Sequence, residues 1–316
     1  MSTAESRPAS AAIDATPIKV TGLIKRYGAR PALAGLSLTV GRGEIVGLLG
    51  GNGGGKTTTL RILAGLLAPD GGSGTVLGHD LERERAAIRC HVGYLAQRFS
   101  LYANVSVREN LRFRADVFAV PEPRDAVATV VSAFGLECVE TLPVEQLSGG
   151  RARLVQLASA VVHAPPLLLL DEPTAGLDAV ARQSVWRQIA RLSSQGTAVV
   201  LSTHDLADAS RCGKLVLLNE GIPRDCGTPS DLVRQVTASV FRVRGAELAG
   251  LIEPLQALPG VIGCYPSGDS LRIIVAPVSD SVIRQHTLLR DCTVEPVAPT
   301  LEDAVFEWSA RGARQR

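Results

Sequence analysis

An apolar stretch at residues 44–49 runs into Gly50-Gly51-Asn52-Gly53-Gly54-Gly55-Lys56-Thr57 and then into a segment of helical periodicity. This spacing, G-x-x-x-x-G-K-[ST] between a strand and a helix, leaves few folds open: a buried strand must feed the N-terminus of a helix directly. Glycines let the backbone wrap so that its N–H groups converge on phosphate oxygens, and the helix start adds favourable potential for anions. Lys56 would reach β- and γ-phosphates as a point charge, and the Thr57 hydroxyl would ligate Mg²⁺. Thr58 follows at the same helix start and is counted with the cradle. A dinucleotide-binding G-x-G-x-x-G fits less well, since Lys56 stands where the last glycine would follow Gly51 and Gly53.

The rest of the chain supplies a sheet for such a loop. Residues 18–27 and 35–40 alternate as half-exposed strands, and 92–95 forms a short strand ahead of a helix beginning near Val107. Helical periodicity continues over 125–134 and breaks at Gly135, and a loop near Gln146 opens into a helix that reaches 162. Buried strands at 167–170 and 197–202 flank a helix over 180–192, and a hairpin-like end covers 215–227. Apolar strands separated by helices imply an α/β fold with a mainly parallel sheet covered on both faces, whose ligands bind at the carboxyl ends of the strands.

Beyond Leu232 the pattern changes. Strand 240–243, helix 246–257, strand 261–265, a Ser267-Gly268-Asp269 turn, strand 271–276, helix 280–289 and strand 292–296 spell β-α-β-β-α-β. This is the ferredoxin-like split unit, followed by a last helix over 300–308. Three segments result: a disordered lead-in at 1–16, a nucleotide-binding domain over 17–232, and a small C-terminal α+β domain over 233–316.

Composition narrows the function classes. Hydrophobic residues make up 46% and charged residues 20% of the 316, which excludes a disordered or collagen-like chain. A membrane helix needs roughly 20 consecutive apolar residues, and the runs at 164–170, 198–201 and 215–218 are far shorter. Residues 1–17, with Glu5, Arg7 and Asp14 among Ala, Ser, Thr and Pro, lack the apolar centre of a signal peptide. The chain is therefore expected in the cytosol. A net charge of +2 and 4% aromatic residues give neither a strong field nor many stacking platforms, so no nucleic acid is expected as partner. The six cysteines lie far apart without a C-x-x-C, which signals neither zinc nor a disulfide framework and reads as small buried thiols. Lysine occurs only at 19, 25, 56 and 214, so one of four falls in the glycine loop.

Two further motifs carry chemistry. Leu167-Leu168-Leu169-Leu170-Asp171-Glu172 sets two carboxylates at the end of a buried strand, a costly placement unless a cation or a proton relay uses it. Asp171 suits Mg²⁺ through water, and Glu172 suits a general base polarising an attacking water. Leu147-Ser148-Gly149-Gly150-Arg151 opens a helix, with Ser148 as N-cap and bare N–H groups at Gly149 and Gly150, which is either a second anion site or an ordinary cap.

Taken together these motifs resemble the nucleotide-binding subunit of an ABC transporter, a P-loop NTPase cassette with an antiparallel N-terminal β subdomain and a helical signature subdomain. The loop at 50–57 is similar to Walker A, Leu147–Gly150 to the signature, and the strand ending in Asp171-Glu172 to Walker B. Ala175-Gly176-Leu177-Asp178 takes the D-loop place, Ser202-Thr203-His204-Asp205 the switch-histidine place, Gln97 the Q-loop place, and Tyr27 that of the aromatic residue stacking on adenine. The resemblance covers roughly residues 18–232. It implies that two copies sandwich two ATP molecules head to tail, each between Walker A of one copy and Ser148, Gly149 and Gly150 of the other. It implies too that Mg²⁺ is held by Thr57, Gln97 and Asp171, that Glu172 polarises water, that His204 contacts the γ-phosphate, and that Asp178 couples the two sites. Departures from the family pattern are Gly51 and Gly54 for the usual Pro and Ala or Ser, Arg151 for the signature Gln, and Leu154 for an Arg.

Gln97-Arg98-Phe99-Ser100-Leu101-Tyr102, the run from Val105 to Leu111, and Pro299-Thr300-Leu301-Glu302-Asp303-Ala304-Val305-Phe306 are similar to the drug-exporter branch, ABC-2 or daunorubicin-resistance-like. That branch implies an ATPase energising an exporter through a separate transmembrane permease, which docks near 97–102. It also implies a homodimer, or a heterodimer with a second cassette, peripheral to the cytoplasmic face of the inner or plasma membrane. An importer ATPase with a regulatory C-terminal domain is the alternative. A soluble ATPase of ribosomes or DNA fits less well, since one motif set is present and the interval 58–146 is too short for a coiled-coil insertion.

Overall fold

Alternating apolar residues bury Ile18 and Val20 of β1 (Ile18–Tyr27), which pairs antiparallel with β2 (Arg30–Val40). The chain is seen in a computed structural model that describes residues 16–28, 30–279 and 286–314. Residues 1–15 of the expected lead-in, and 280–285 of the helix expected over 280–289, lie outside the described residues. Residues 16–205 with Cys212–Asp225 form one compact unit, and Leu206–Arg211 with the described residues from Cys226 onward form a second.

In the first unit β3 (Ile45–Leu49) leads through the glycine loop into α1 (Lys56–Leu63). β4 (Gly71–Val76) and β5 (His79–Asp80), which no hydrophobic alternation announces, complete a sheet of order β2-β1-β4-β5. Gly74 permits that pairing, because a Cβ there would lie 2.3 Å from the carbonyl oxygen of Lys19 on β1. There follow α2 (Arg85–His91), β6 (Val92–Leu95), α3 (Val107–Val117), α4 (Pro123–Phe134), α5 (Gly149–Val161), β7 (Leu167–Asp171), α6 (Ala179–Ser194), β8 (Ala198–Thr203), β9 (Lys214–Asn219) and β10 (Ile222–Gly227). A Ser106–Glu109 capping box starts α3, and Gly135 in the left-handed region ends α4.

The second sheet of this unit has the order β10-β9-β3-β8-β7-β6, with β3, β6, β7, β8 and β9 paired in parallel. Every residue of β7 and β8 is buried, so both faces are covered, as the unbroken apolar runs require. Parallel register brings Leu49 beside Thr203 and Asp171 beside Ser202. The glycine loop, the acidic pair and His204 thus emerge at the same carboxyl edge of neighbouring strands.

The second unit holds α7 (Leu206–Ala209), α8 (Pro229–Arg234), β11 (Ser239–Arg244), α9 (Ile252–Gln256), β12 (Val261–Ser267), β13 (Ser270–Val275), β14 (Thr293–Pro296) and α10 (Leu301–Arg314). Its sheet is antiparallel throughout with order β12-β13-β11-β14, the ferredoxin-like arrangement expected. Phe241, Val243, Leu271 and Ile273 pack with Leu255 of α9, while Tyr265 and Ile274 pack with Phe306 of α10. The helix expected over 246–257 is replaced by a 3-10 turn at Leu248–Leu251 and the short α9. Glu247 at φ 53° breaks the run, and Pro254, without an N–H, is tolerated only in a helix's first turn. Of the helix expected over 280–289, the described part carries a 3-10 turn at Thr287–Leu289.

Among the described residues no helix is long and apolar enough to cross a membrane. Cys212 and Cys264 are buried as expected of small thiols, whereas Cys90, Cys138 and Cys226 are exposed.

Candidate functional site

The glycine loop passes so close to β9 that a Cβ at Gly50 would lie 2.0 Å from the Leu218 carbonyl oxygen. Gly55, at φ 94°, hands the loop over to α1 from the left-handed region. Lys56 is buried, and its Nζ donates to the carbonyls of Gly50 at 2.7 Å and Gly51 at 3.0 Å. Burial pushes its pKa down, while the Glu172 and Asp171 carboxylates push it up. The loop forms part of an open cleft of about 560 Å³ lined by Tyr27, residues 52–58, Gln97 and Glu172. Tyr27, 53% exposed, leaves its ring available to a planar ligand.

Asp171 and Glu172 divide the carboxyl edge of β7 between them. Asp171 is buried; its Oδ1 accepts from Thr57 Oγ1 at 3.0 Å and Ser202 Oγ at 2.6 Å. Glu172 has left-handed backbone at φ 47°, an arrangement costing about 1–3 kcal/mol in a non-glycine residue and concentrated at functional sites. Its Oε2 accepts from Gln97 Nε2 at 3.2 Å, and its Oε1 lies 3.1 Å from His204 Nδ1. Three residues named from separate motifs, Gln97, Glu172 and His204, therefore meet side chain to side chain.

Ser148, Gly149, Gly150 and Asp178 do not join this group. They line a second cleft of about 670 Å³, together with Arg151 and Leu154. Ser148 caps α5 by accepting from Arg151 N, and Asp178 caps α6 by accepting from Ala181 N at 2.8 Å. Gly150 lets the two helix starts approach, since its Cβ would fall 2.5 Å from Ala181 Cβ. Arg151, in the usual glutamine place, points Nη1 at Cys138 Sγ at 3.3 Å.

Two contributors escaped the reading of the sequence. Ser202 opens the histidine motif, where the sequence assigns it no role, and its hydroxyl both donates to Asp171 and accepts the Glu172 N–H at 2.8 Å. Arg153 lies on α5 among buried neighbours and donates to the main-chain carbonyls of the acidic pair, Asp171 and Glu172, and of Pro173 after it. Burial pushes its pKa down to about 10, against the pull of Asp171 and Glu172. Its signal in the sequence is the pair Arg153 and Gln156, at i and i+3, inside the otherwise apolar run Ala152–Ala158, since a buried polar pair needs partners.

The donor set tests whether a hard cation fits. Among the described residues no group of three or more His, Cys, Asp or Glu could hold a metal. Thr57 Oγ1, Asp171 Oδ1 and the Gln97 amide instead offer oxygens of the kind Mg²⁺ takes when substrate phosphates and water complete its shell. Thr57 and Asp171 are already in contact, whereas the Gln97 amide nitrogen is engaged with Glu172.

A family described as "ABC transporter" matches residues 33–175. The "Probable multidrug ABC transporter ATP-binding protein YbhF" of Escherichia coli (strain K12) is 37% identical over 222 residues, 70% of this chain and 38% of that protein's length. This chain thus spans less than half of that relative. The "Daunorubicin resistance ATP-binding protein DrrA3" of Streptomyces coeruleorubidus is 36% identical over 268 residues, 84% of each chain. Among solved structures, the dimeric post-hydrolysis state of the ATP-binding cassette MJ0796 bound to ADP and Pi is 26% identical. It superposes with a TM-score of 0.61 over 67% of this chain and 98% of that one.

Proposed function

The chain belongs to the family of ABC transporter ATP-binding proteins, and from that premise we propose that it hydrolyses ATP to energise an exporter through a separate transmembrane permease. The observation that carries the reading is the meeting of Gln97, Glu172 and His204 beside the loop that buries Lys56. Exporter-type names among the relatives favour export over import.

In this reading Tyr27 stacks on the adenine, and the N–H groups of residues 50–58 with Lys56 bind the phosphates. Thr57, Asp171 and Gln97 would hold Mg²⁺, which neutralises phosphate charge when bound. Glu172 accepts a proton from the attacking water as the oxygen joins the γ-phosphorus, the bond to the β-phosphate oxygen breaks, and ADP and inorganic phosphate leave. His204 contacts the γ-phosphate and keeps Glu172 oriented. Ser148, Gly149, Gly150 and Asp178 line a separate cleft in the same chain, which supports a head-to-tail dimer in which each copy completes the other's site. Residues 17–232 are read as the cassette and 233–316 as an appended module, the compact units dividing slightly earlier, at Asp225–Cys226. The segment 97–102, with Phe99 and Tyr102 about half exposed, receives the permease at the cytoplasmic face of the membrane.

The test pairs the native chain with Glu172→Gln. Glu172→Gln should lower turnover by roughly 10²–10⁴-fold, convert the chain to a dimer on ATP addition, and leave recovery of a polytopic partner from membranes unchanged. A native chain without ATPase activity, or a Glu172→Gln protein that stays monomeric at saturating ATP, overturns the reading.

A further inference from the structure

A guanidinium inside a buried helix is costly unless its donors are all engaged, and Arg153 engages them without a carboxylate. Nε donates to Pro173 O at 2.9 Å, Nη1 to Ala96 O at 3.2 Å and Gln156 Oε1 at 2.8 Å, and Nη2 to Asp171 O at 3.1 Å and Glu172 O at 2.7 Å. Gln156 extends the clamp by donating to Ala96 O and Arg98 O. The carbonyls belong to two segments only, the one that follows β6 and carries Gln97, and the one that ends β7 and carries Glu172.

Glu172 is where this matters. Its left-handed backbone persists only if the surroundings over-determine it, and both of its main-chain groups are held, the N–H by Ser202 and the carbonyl by Arg153. We propose that Arg153 is a positioning residue for hydrolysis, fixing the main chain at 96–97 and 171–173 so that the Gln97 amide and the Glu172 carboxylate face one another at 3.2 Å. It ties both to α5, whose first turn lines the second cleft, so the helix that meets one nucleotide holds the base that acts on the other. The inference rests on the ATPase reading above.

The full chain is assayed as native protein, Arg153→Met and Arg153→Lys, each also in a Glu172→Gln background, with kcat, KM for MgATP and melting temperature recorded. The Glu172→Gln rates are followed as slow single-turnover release of labelled phosphate. Positioning predicts that Arg153→Met lowers kcat by about 30-fold or more with KM within about threefold, and that Arg153→Lys recovers part of the loss. In the Glu172→Gln background the same substitution should cost less than about twofold, because residues that act as a unit are not additive. A kcat within twofold of native overturns the proposal. So does an equal fold loss in both backgrounds, which is what reduced folded protein gives. If Arg153→Met does not fold, Arg153→Lys decides by the same two criteria. A native chain that hydrolyses nothing overturns the ATPase reading and this inference with it, and is distinguishable because no substitution is then needed to see it.

Discussion

Asp171 on β7 and Ser202 on β8 lie opposite one another in parallel register, and the Ser202 hydroxyl donates to Asp171 Oδ1 at 2.6 Å. The Ser202 Oγ in turn accepts the Glu172 N–H at 2.8 Å. One buried hydroxyl therefore sets both the Asp171 carboxylate and the main chain that carries Glu172, the proposed base.

Ser202→Ala strands a buried N–H and removes one donor from Asp171. An unsatisfied buried group costs about 1–3 kcal/mol, which in a unit of this size lowers the melting temperature by about 2–12 °C. Turnover should fall severalfold at the same time. Thermal melts and ATPase assays check this, and unchanged values in both would remove Ser202 from the site.

Gly50 and Gly51 are neighbours with opposite tolerance. Gly51 has nothing within 4 Å of its would-be Cβ and is not in the left-handed region, while Gly50 is pressed against Leu218 O. Gly51→Ala should stabilise by about 0.4–1 kcal/mol through the unfolded chain and leave nucleotide affinity within twofold. Gly50→Ala should displace the loop and abolish binding. Nucleotide titration of the two proteins separates them, and equal affinities would contradict the geometry.

Much of this was legible because the segments concerned obey local rules. The strands at 18–27 and 92–95 have the predicted bounds, and the loop at 50–57 is announced by its own glycines. The C-terminal strands could be read from β-branched runs, although Pro254 shortened the helix between the first two. β4 was hidden because Gly71-Gly72-Ser73-Gly74 carries no hydrophobic period; its pairing is decided by how closely β1 approaches. The polar pair Arg153 and Gln156 shows in the sequence that something is held there, but the partners are main-chain carbonyls, which sequence does not distinguish. The approach of Gln97, Glu172 and His204 joins residues up to 107 positions apart and follows from strand order.

His163 stacks on Phe118 with ring centroids 3.7 Å apart. Burial, then the Arg114 guanidinium, pushes its pKa down to about 4, with His91 adding to the effect. The unfolded chain therefore binds a proton that the folded chain refuses between about pH 6.5 and 4. Stability from the neutral ring is present above that window and is lost as pH falls through it, by up to about 1.4 kcal/mol per pH unit. His163→Phe should flatten the acid side of a stability–pH curve measured by urea unfolding; the same slope in both proteins would refute the assignment.

Arg272 on β13 and Asp303 on α10 form a buried ion pair at 2.6 Å. Asp303 also accepts from Tyr265 Oη at 2.7 Å and from Thr300 N at 2.7 Å, so one carboxylate caps α10 and fastens it to the sheet. Burial works to raise its pKa, but the Arg272 guanidinium, the Tyr265 hydroxyl and Thr300 together hold it below the ordinary carboxylate value. Stability from the pair is thus present above the unfolded carboxylate pKa of about 4 and fades as pH falls through the lower folded value. Asp303→Asn leaves Arg272 with its charge uncompensated, at a cost of about 3–5 kcal/mol. The two tryptophans fall in different units, Trp186 on α6 and Trp308 on α10, so Trp186→Phe makes Trp308 fluorescence a reporter of α10 alone. In that background Asp303→Asn should lower the Trp308 unfolding free energy by several kcal/mol at pH 7 and remove its dependence on pH below about 4. A change under 1 kcal/mol would mean that apolar packing around Phe306, rather than the ion pair, holds the helix.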